Sequence, residues 1–330
     1  MSLDLTRPSL FRSVLYFLML YALFRIREYT AVEPALPSGE MMPLESWFTR
    51  FFERHLVWKE IALLLLTFLN AFYITRILSR NLIYLERTYV PALIYLAVAL
   101  GYTVSGLTPV TLAVSLLLVF AIDDMIKSYK KEENFGYFLH ASVALGLAPI
   151  LYAPAAIFVL LLPVGFVLFR QNGRSVATAI LGYLLPLFFC SYVLWGMGED
   201  FSETVRRIFS IVTASSPGEL FIFRMQPWDY ALAGLFLFLT AVALVHFSRN
   251  RATMRRRSLR GYTIFIWTLV IALGMTALPC RSLDMLPIVA VPLAAVIPAC
   301  FNRKSGWWPN LLYVLMIGSV VAYNLFLLFH

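Results

Sequence analysis

The stretch Tyr89–Ile122, YVPALIYLAVALGYTVSGLTPVTLAVSLLLVFAI, contains no charged side chain. A helix needs about 20 mostly apolar residues to cross a hydrocarbon core about 30 Å thick. The stretch and its next few residues divide into two such runs, 89–106 and 108–126, around the uncharged turn Ser105-Gly106-Leu107-Thr108. A tight uncharged turn between two apolar runs reads as a membrane hairpin. Working outward, the same criterion selects 9–26, 61–78, 137–153, 155–170, 176–197, 229–247, 262–280, 286–301 and 310–329. The predicted fold is therefore all-α: a polytopic transmembrane helical bundle of about eleven spans, forming one integral membrane domain over residues 1–330. Ten spans is the alternative count, because 155–170 and 286–301 are short.

Composition agrees. The 330 residues are 61% hydrophobic and only 14% charged, with a mean hydropathy of +0.79. Soluble domains carry about 25% charged residues. The shortfall excludes an ordinary soluble enzyme, and the apolar content excludes a disordered chain. Three cysteines exclude a disulfide-rich secreted scaffold. A net charge of +9 on so apolar a chain points to a membrane rather than to nucleic acid. The N-terminal run ends in Phe24-Arg25-Ile26-Arg27-Glu28 with no small-x-small cleavage pattern, and reads as a retained first span rather than a signal peptide.

Lys and Arg are enriched in cytoplasmic loops. With the N-terminus inside, 18 of the 27 basic residues and 6 of the 18 acidic ones fall on the cytoplasmic side. The basic loops 127–133 and 249–260 fall inside, while the uncharged turns 105–108 and 151–154 fall outside. Eleven spans then leave the C-terminus outside. The cluster Arg249, Arg251, Arg255, Arg256, Arg257 and Arg260 fills one such loop; it reads as a topology signal and an anionic-lipid contact, not a nucleic-acid patch.

Two external loops are long, about 27–60 and 198–228, and loops held by a rigid scaffold carry function. Each contains an amphipathic stretch: Leu44, Trp47, Phe48, Phe51, Phe52, His55 and Trp58 in the first, and Phe201, Val205, Ile208, Phe209 and Val212 in the second. Such helices lie in the interface with their apolar side against lipid. They either seal the bundle or frame a cavity where a lipid head group meets a polar substrate. The segment Glu33-Pro34-Ala35-Leu36-Pro37-Ser38-Gly39-Glu40 is irregular backbone. Glu28 and Glu33 follow the first span directly; each reads equally as a general base, a metal ligand or a solvated loop charge. Arg281 and Asp284 charge one short external turn, where an arginine suits a lipid phosphate and a local Arg–Asp pair is the plainer reading.

Other signals are missing. Cys190, Cys280 and Cys300 form no C-x-x-C pair, and His55, His140, His246 and His330 show no metal spacing. There is no phosphate-binding glycine loop and no G-x-S-x-G. Asn70 and His140 are the main polar intrusions into the spans, His140 reading as a hydrogen-bonder inside the bundle. The lack of a central acid speaks against an ion-coupled transporter.

Two resemblances follow from particular residues. The order Phe138-Leu139-His140-Ala141-Ser142, Ala148-Pro149-Ile150-Leu151-Tyr152-Ala153-Pro154, Phe169-Arg170-Gln171-Asn172-Gly173-Arg174 and Leu181-Gly182-Tyr183-Leu184-Leu185-Pro186 resembles a family of multi-pass inner-membrane proteins of Bacteroidetes-type bacteria. That family's domain carries no assigned function. The resemblance implies the bacterial inner membrane. The loop layout, long after spans one and seven and short elsewhere, resembles the GT-C glycosyltransferases, which use lipid-phosphate-linked sugars. It implies catalysis by Glu33 or Glu28 and binding of a polyprenyl-phosphate sugar by Arg281, Arg206, Arg207 and Arg224, with Glu40 and Asp284 nearby. No cofactor is assigned; a divalent metal enters only with the catalytic reading. The alternatives are a non-catalytic scaffold or assembly component of the envelope and, third, a lipid or small-molecule transporter. Membrane lipids are the partners on every reading.

Overall fold

Two of the predicted spans turn out to touch almost no surface. In the computed structural model, which describes residues 10–30, 42–81, 83, 88–102, 108–129, 135–198, 200, 202–206, 210, 227–276, 285–301 and 307–329, all described elements are helical. They are α1 (Leu10–Thr30), α2 (Pro43–Arg54), α3 (Leu56–Arg80), α4 (Val90–Leu100), α5 (Pro109–Lys127), α6 (Phe135–Leu151), a 3₁₀ segment (Ala153–Leu160) running into α7 (Leu161–Phe169), and α8 (Gly173–Gly196). After a short helical stretch at 202–206 come α9 (Pro227–Asn250), α10 (Arg256–Thr276), α11 (Leu286–Val296) with a 3₁₀ extension (Ile297–Cys300), and α12 (Trp307–Phe329). Each of the eleven apolar stretches coincides with a helical segment. Among the described residues, six helices are long and apolar enough to cross a membrane.

The 11-residue helices α4 and α11 are buried at every position and pack against each other at the centre, with α3 and α5 beside them. At 1.5 Å per residue, α4 is about 16 Å long. With its 3₁₀ extension α11 reaches about 24 Å. Neither spans a hydrocarbon core alone. Their all-round apolarity reflects burial in protein, which is the other environment that selects such a sequence. Pro91 and Pro287 start the two helices in their first turns, where a missing N–H costs nothing.

The outer helices present apolar residues outward. Leu64, Leu65 and Leu69 of α3, Leu184, Leu185, Phe188 and Phe189 of α8, and Leu237 and Phe238 of α9 are exposed. Patches of this kind on a water-soluble chain would aggregate; against acyl chains they are at rest. The buried share, 72% for α5 against 28% for α8, α9 and α12, separates inner from outer helices.

Without a hydrophobic driving force inside lipid, helices associate through close backbone approach at small residues. The pair α6 and α8 does this most extensively. A Cβ on Gly146 would sit 2.3 Å from the Tyr183 carbonyl oxygen, and one on Gly182 would sit 2.2 Å from Ser142 Oγ. Ser142 and Gly146 are spaced as small-xxx-small on α6. Gly146→Ala therefore forces α6 and α8 apart and is expected to cost about 1–3 kcal/mol. Gly234, in α9, has nothing within 4 Å of a built Cβ; Gly234→Ala is expected to gain about 0.5–1 kcal/mol from helix propensity. Thermal unfolding of both variants in detergent checks the pair.

Candidate functional sites at the two ends of the bundle

Most of the residues expected to form the site, Glu33, Glu40, Arg207, Arg224, Arg281 and Asp284, lie outside the described residues. The backbone of Glu28 belongs to the last turn of α1; its side chain also lies outside. Arg206 is exposed at the end of the 202–206 stretch. The described residues thus do not bring the expected set together, and the second amphipathic stretch is described only at 202–206 and 210.

The first amphipathic stretch is α2. Pro43 begins it, and the Glu45 side chain accepts from the Met42 N–H at 3.2 Å. Leu44 and Phe48 pack toward the core, while Trp47 and Phe51 are exposed. Trp47 stacks on Phe51 with centroids 6.1 Å apart, and Phe51 lies 5.0 Å from the His55 ring. Rings at i, i+4 and i+8 form an outward aromatic ridge of the kind favoured at a membrane–water boundary. One predicted apolar face is thus divided between protein and surroundings.

At the end of the bundle next to α2, structure adds residues that sequence reading passed over. Arg27 is buried near the end of α1. Its Nη1 donates to Asn324 Oδ1 of α12 at 2.7 Å, and its Nη2 donates to the carbonyls of Tyr102 at 2.8 Å and Leu100 at 3.4 Å. Asn324 Nδ2 donates to the Gly101 carbonyl at 3.2 Å. A cation and an amide together satisfy the C-terminal carbonyls of α4, where the helix dipole favours positive charge. Close by, Tyr323 donates to buried Asp229 at 2.9 Å, and Asp229 sits in the first turn of α9, the end that favours an anion. The Tyr102 ring lies 6.3 Å from Phe236. Arg25, also buried, pairs with Glu60 at the start of α3.

The opposite end has its own cluster. Asp123 of α5 is fully buried and accepts from the Tyr73 hydroxyl at 2.7 Å, from Arg80, and from Lys127 at 3.0 Å. Lys127 also reaches Asp124 at 2.6 Å. Tyr73 and Arg80 are seven residues apart on α3 and so share a face; Asp123 and Lys127 are one turn apart on α5.

These groups escaped the sequence reading because charges at span ends were assigned to topology. The i, i+4 spacing of Asp123 and Lys127 was the available signal. His140 differs in the other direction: its side chain is exposed on α6 rather than bonded inside the bundle. Asn70 does lie in the core, donating to the Leu66 and Leu112 carbonyls. Among the described residues no three His, Cys, Asp or Glu side chains gather where a metal could be held.

Comparison with known protein families, with curated proteins and with solved structures finds no match to this chain.

Asp123→Ala would strand two cations and a tyrosine around a cavity. It is expected to lower stability by about 3–5 kcal/mol. Asp123→Asn, which keeps an acceptor for Tyr73, should cost clearly less. Thermal denaturation of the two purified variants measures the difference.

Proposed function

We propose that this chain is an integral membrane protein of the bacterial inner membrane that acts at its external face as a GT-C-like transferase on a lipid-phosphate-linked sugar. One observation carries the reading: the last turn of α1 holds Arg27 and then Glu28 at the end of the bundle where α4, α9 and α12 converge and where α2 lies beside the helix ends. On this reading Glu28 or Glu33 deprotonates the acceptor. Arg206, Arg207, Arg224 and Arg281 steady the departing lipid phosphate, whose developing charge a guanidinium fork matches. Glu40 and Asp284 complete the polar rim.

General-base catalysis contributes about 10²–10⁴-fold. Glu28→Gln with Glu33→Gln is therefore expected to abolish consumption of a polyprenyl-phosphate sugar by the protein in vesicles, and to alter cell-surface glycans. Unchanged glycans in the double variant would end the proposal.

A second reading is favoured by the saturation of the Arg27 cluster. The guanidinium of Arg27, the amide of Asn324 and the carboxylate of Asp229 all engage protein groups, as they would in a non-catalytic scaffold or assembly component. That reading keeps function in the double glutamine variant and loses it when Trp47 and Phe51, the exposed ridge of α2, are both replaced by serine.

Orientation is open to a direct check. In a background without native cysteines, Ser202→Cys is expected to react with an impermeant maleimide added from outside the inner membrane. Arg251→Cys should react only after the membrane is permeabilised. The reverse pattern would put the Arg27 cluster on the cytoplasmic side and remove the proposed external site.

A further inference from the structure

At the Asp123 end, the last turns of α3 leave Arg76 and Arg80 exposed and Ser79 half-buried beside buried Thr75. Phe72, Thr75, Arg76 and Ser79 fall at i, i+3, i+4 and i+7, on one face of the helix. They form one wall of a cleft of about 520 Å³, with Arg80 at its edge. Thr88 and Tyr89, at the entry to α4, form the facing wall, and Leu10 of α1 closes one side. Among the described residues, none that lines the cleft is acidic.

The two arginines are not equivalent. Arg80 is engaged by the buried carboxylate of Asp123, which also holds Lys127. Arg76 is exposed and makes no hydrogen bond or ion pair among the described residues, so its charge is available to a ligand. The hydroxyls of Thr75 and Ser79 donate within their own helix, to the Ala71 and Thr75 carbonyls at 2.9 Å each. On the α3 side of the cleft the guanidinium groups are therefore the remaining donors. One exposed cation, a second whose carboxylate partner lies behind it, and no acid among the described lining residues make a site for an anion, and guanidinium geometry favours phosphate.

The apolar part of the wall says which kind of phosphate. Phe72 lines the cleft beside Leu10, and Leu10 and Phe11 are 57% and 76% exposed. They offer an apolar flank that a free phosphate would not use and a phospholipid would. We propose that this cleft binds a phosphate ester, held by Arg76 with Arg80 behind it, and that the ester is the head group of an anionic phospholipid. The site lies at the end of the bundle away from Arg27 and is independent of the transferase reading.

Arg76→Gln tests it without disturbing the Asp123 cluster. The full-length protein in neutral detergent is titrated with phosphatidylglycerol and, separately, with phosphatidylcholine and with glycerol phosphate, and bound ligand is counted by native mass spectrometry. Wild-type protein is expected to retain phosphatidylglycerol over phosphatidylcholine, and Arg76→Gln to bind it about tenfold more weakly. Arg50→Gln, an exposed arginine of α2 at the other end of the bundle, should bind as wild type. If glycerol phosphate binds as well as the lipid, the phosphate site stands and the lipid assignment falls. Equal binding by Arg76→Gln and wild type, or an equal loss in Arg50→Gln, would overturn the site altogether.

Discussion

A backbone carbonyl held away from water must find a proton donor, and this bundle is arranged around that requirement. Its two central helices are too short to bring their ends to the membrane surface. Each therefore ends inside protein, where irregular backbone is tolerated only if other groups satisfy it. The end of α4 is satisfied by Arg27 and Asn324. The end of α11 is met by the Tyr262 hydroxyl of α10, which donates to the Val296 carbonyl at 3.1 Å. Polar side chains of the outer helices thus complete the hydrogen bonding of the inner ones. The longer helices around them carry the contact with lipid.

The same constraint explains the division of labour between charged groups. Asp123 and Asp229 are buried, yet each lies near the end of its helix and each has a hydroxyl donor, Tyr73 or Tyr323. Asp123 has cations as well. Removing any one member would strand the others in a medium of low dielectric, so such clusters tend to fix helix ends in register. One of them meets the boundary beside α2 and the other stands behind a cleft, which is why the two ends differ in what they offer to a ligand.

Helix positions were legible in the sequence because apolarity over some twenty residues is a strong signal. Which of those helices touch lipid was not. Val90–Leu100 and Leu286–Val296 are apolar on every side, and that pattern suits a bilayer and a protein interior equally. Only tertiary packing decides between them. The amphipathic pattern of Leu44 to Trp58 gave α2 only as far as Arg54, since His55 breaks the helix and Trp58 belongs to α3; nor could periodicity say that Leu44 and Phe48 turn inward while Trp47 and Phe51 turn out. At the site, Arg27 and Asp229 were read as markers of topology because their partners are distant in the chain. His140 failed for the converse reason: a polar residue in an apolar run implies a partner only if that face of the helix is covered.

The bond between Arg27 and Asn324 joins residues 297 positions apart. A ribosome delivers α1 and α4 long before α12 exists, so the carbonyls at the end of α4 must wait through most of synthesis without one of their two donors. During that interval the Gly101 carbonyl lacks the amide donor that Asn324 later supplies. Docking of α12 thus completes a helix end laid down 223 positions earlier in the chain.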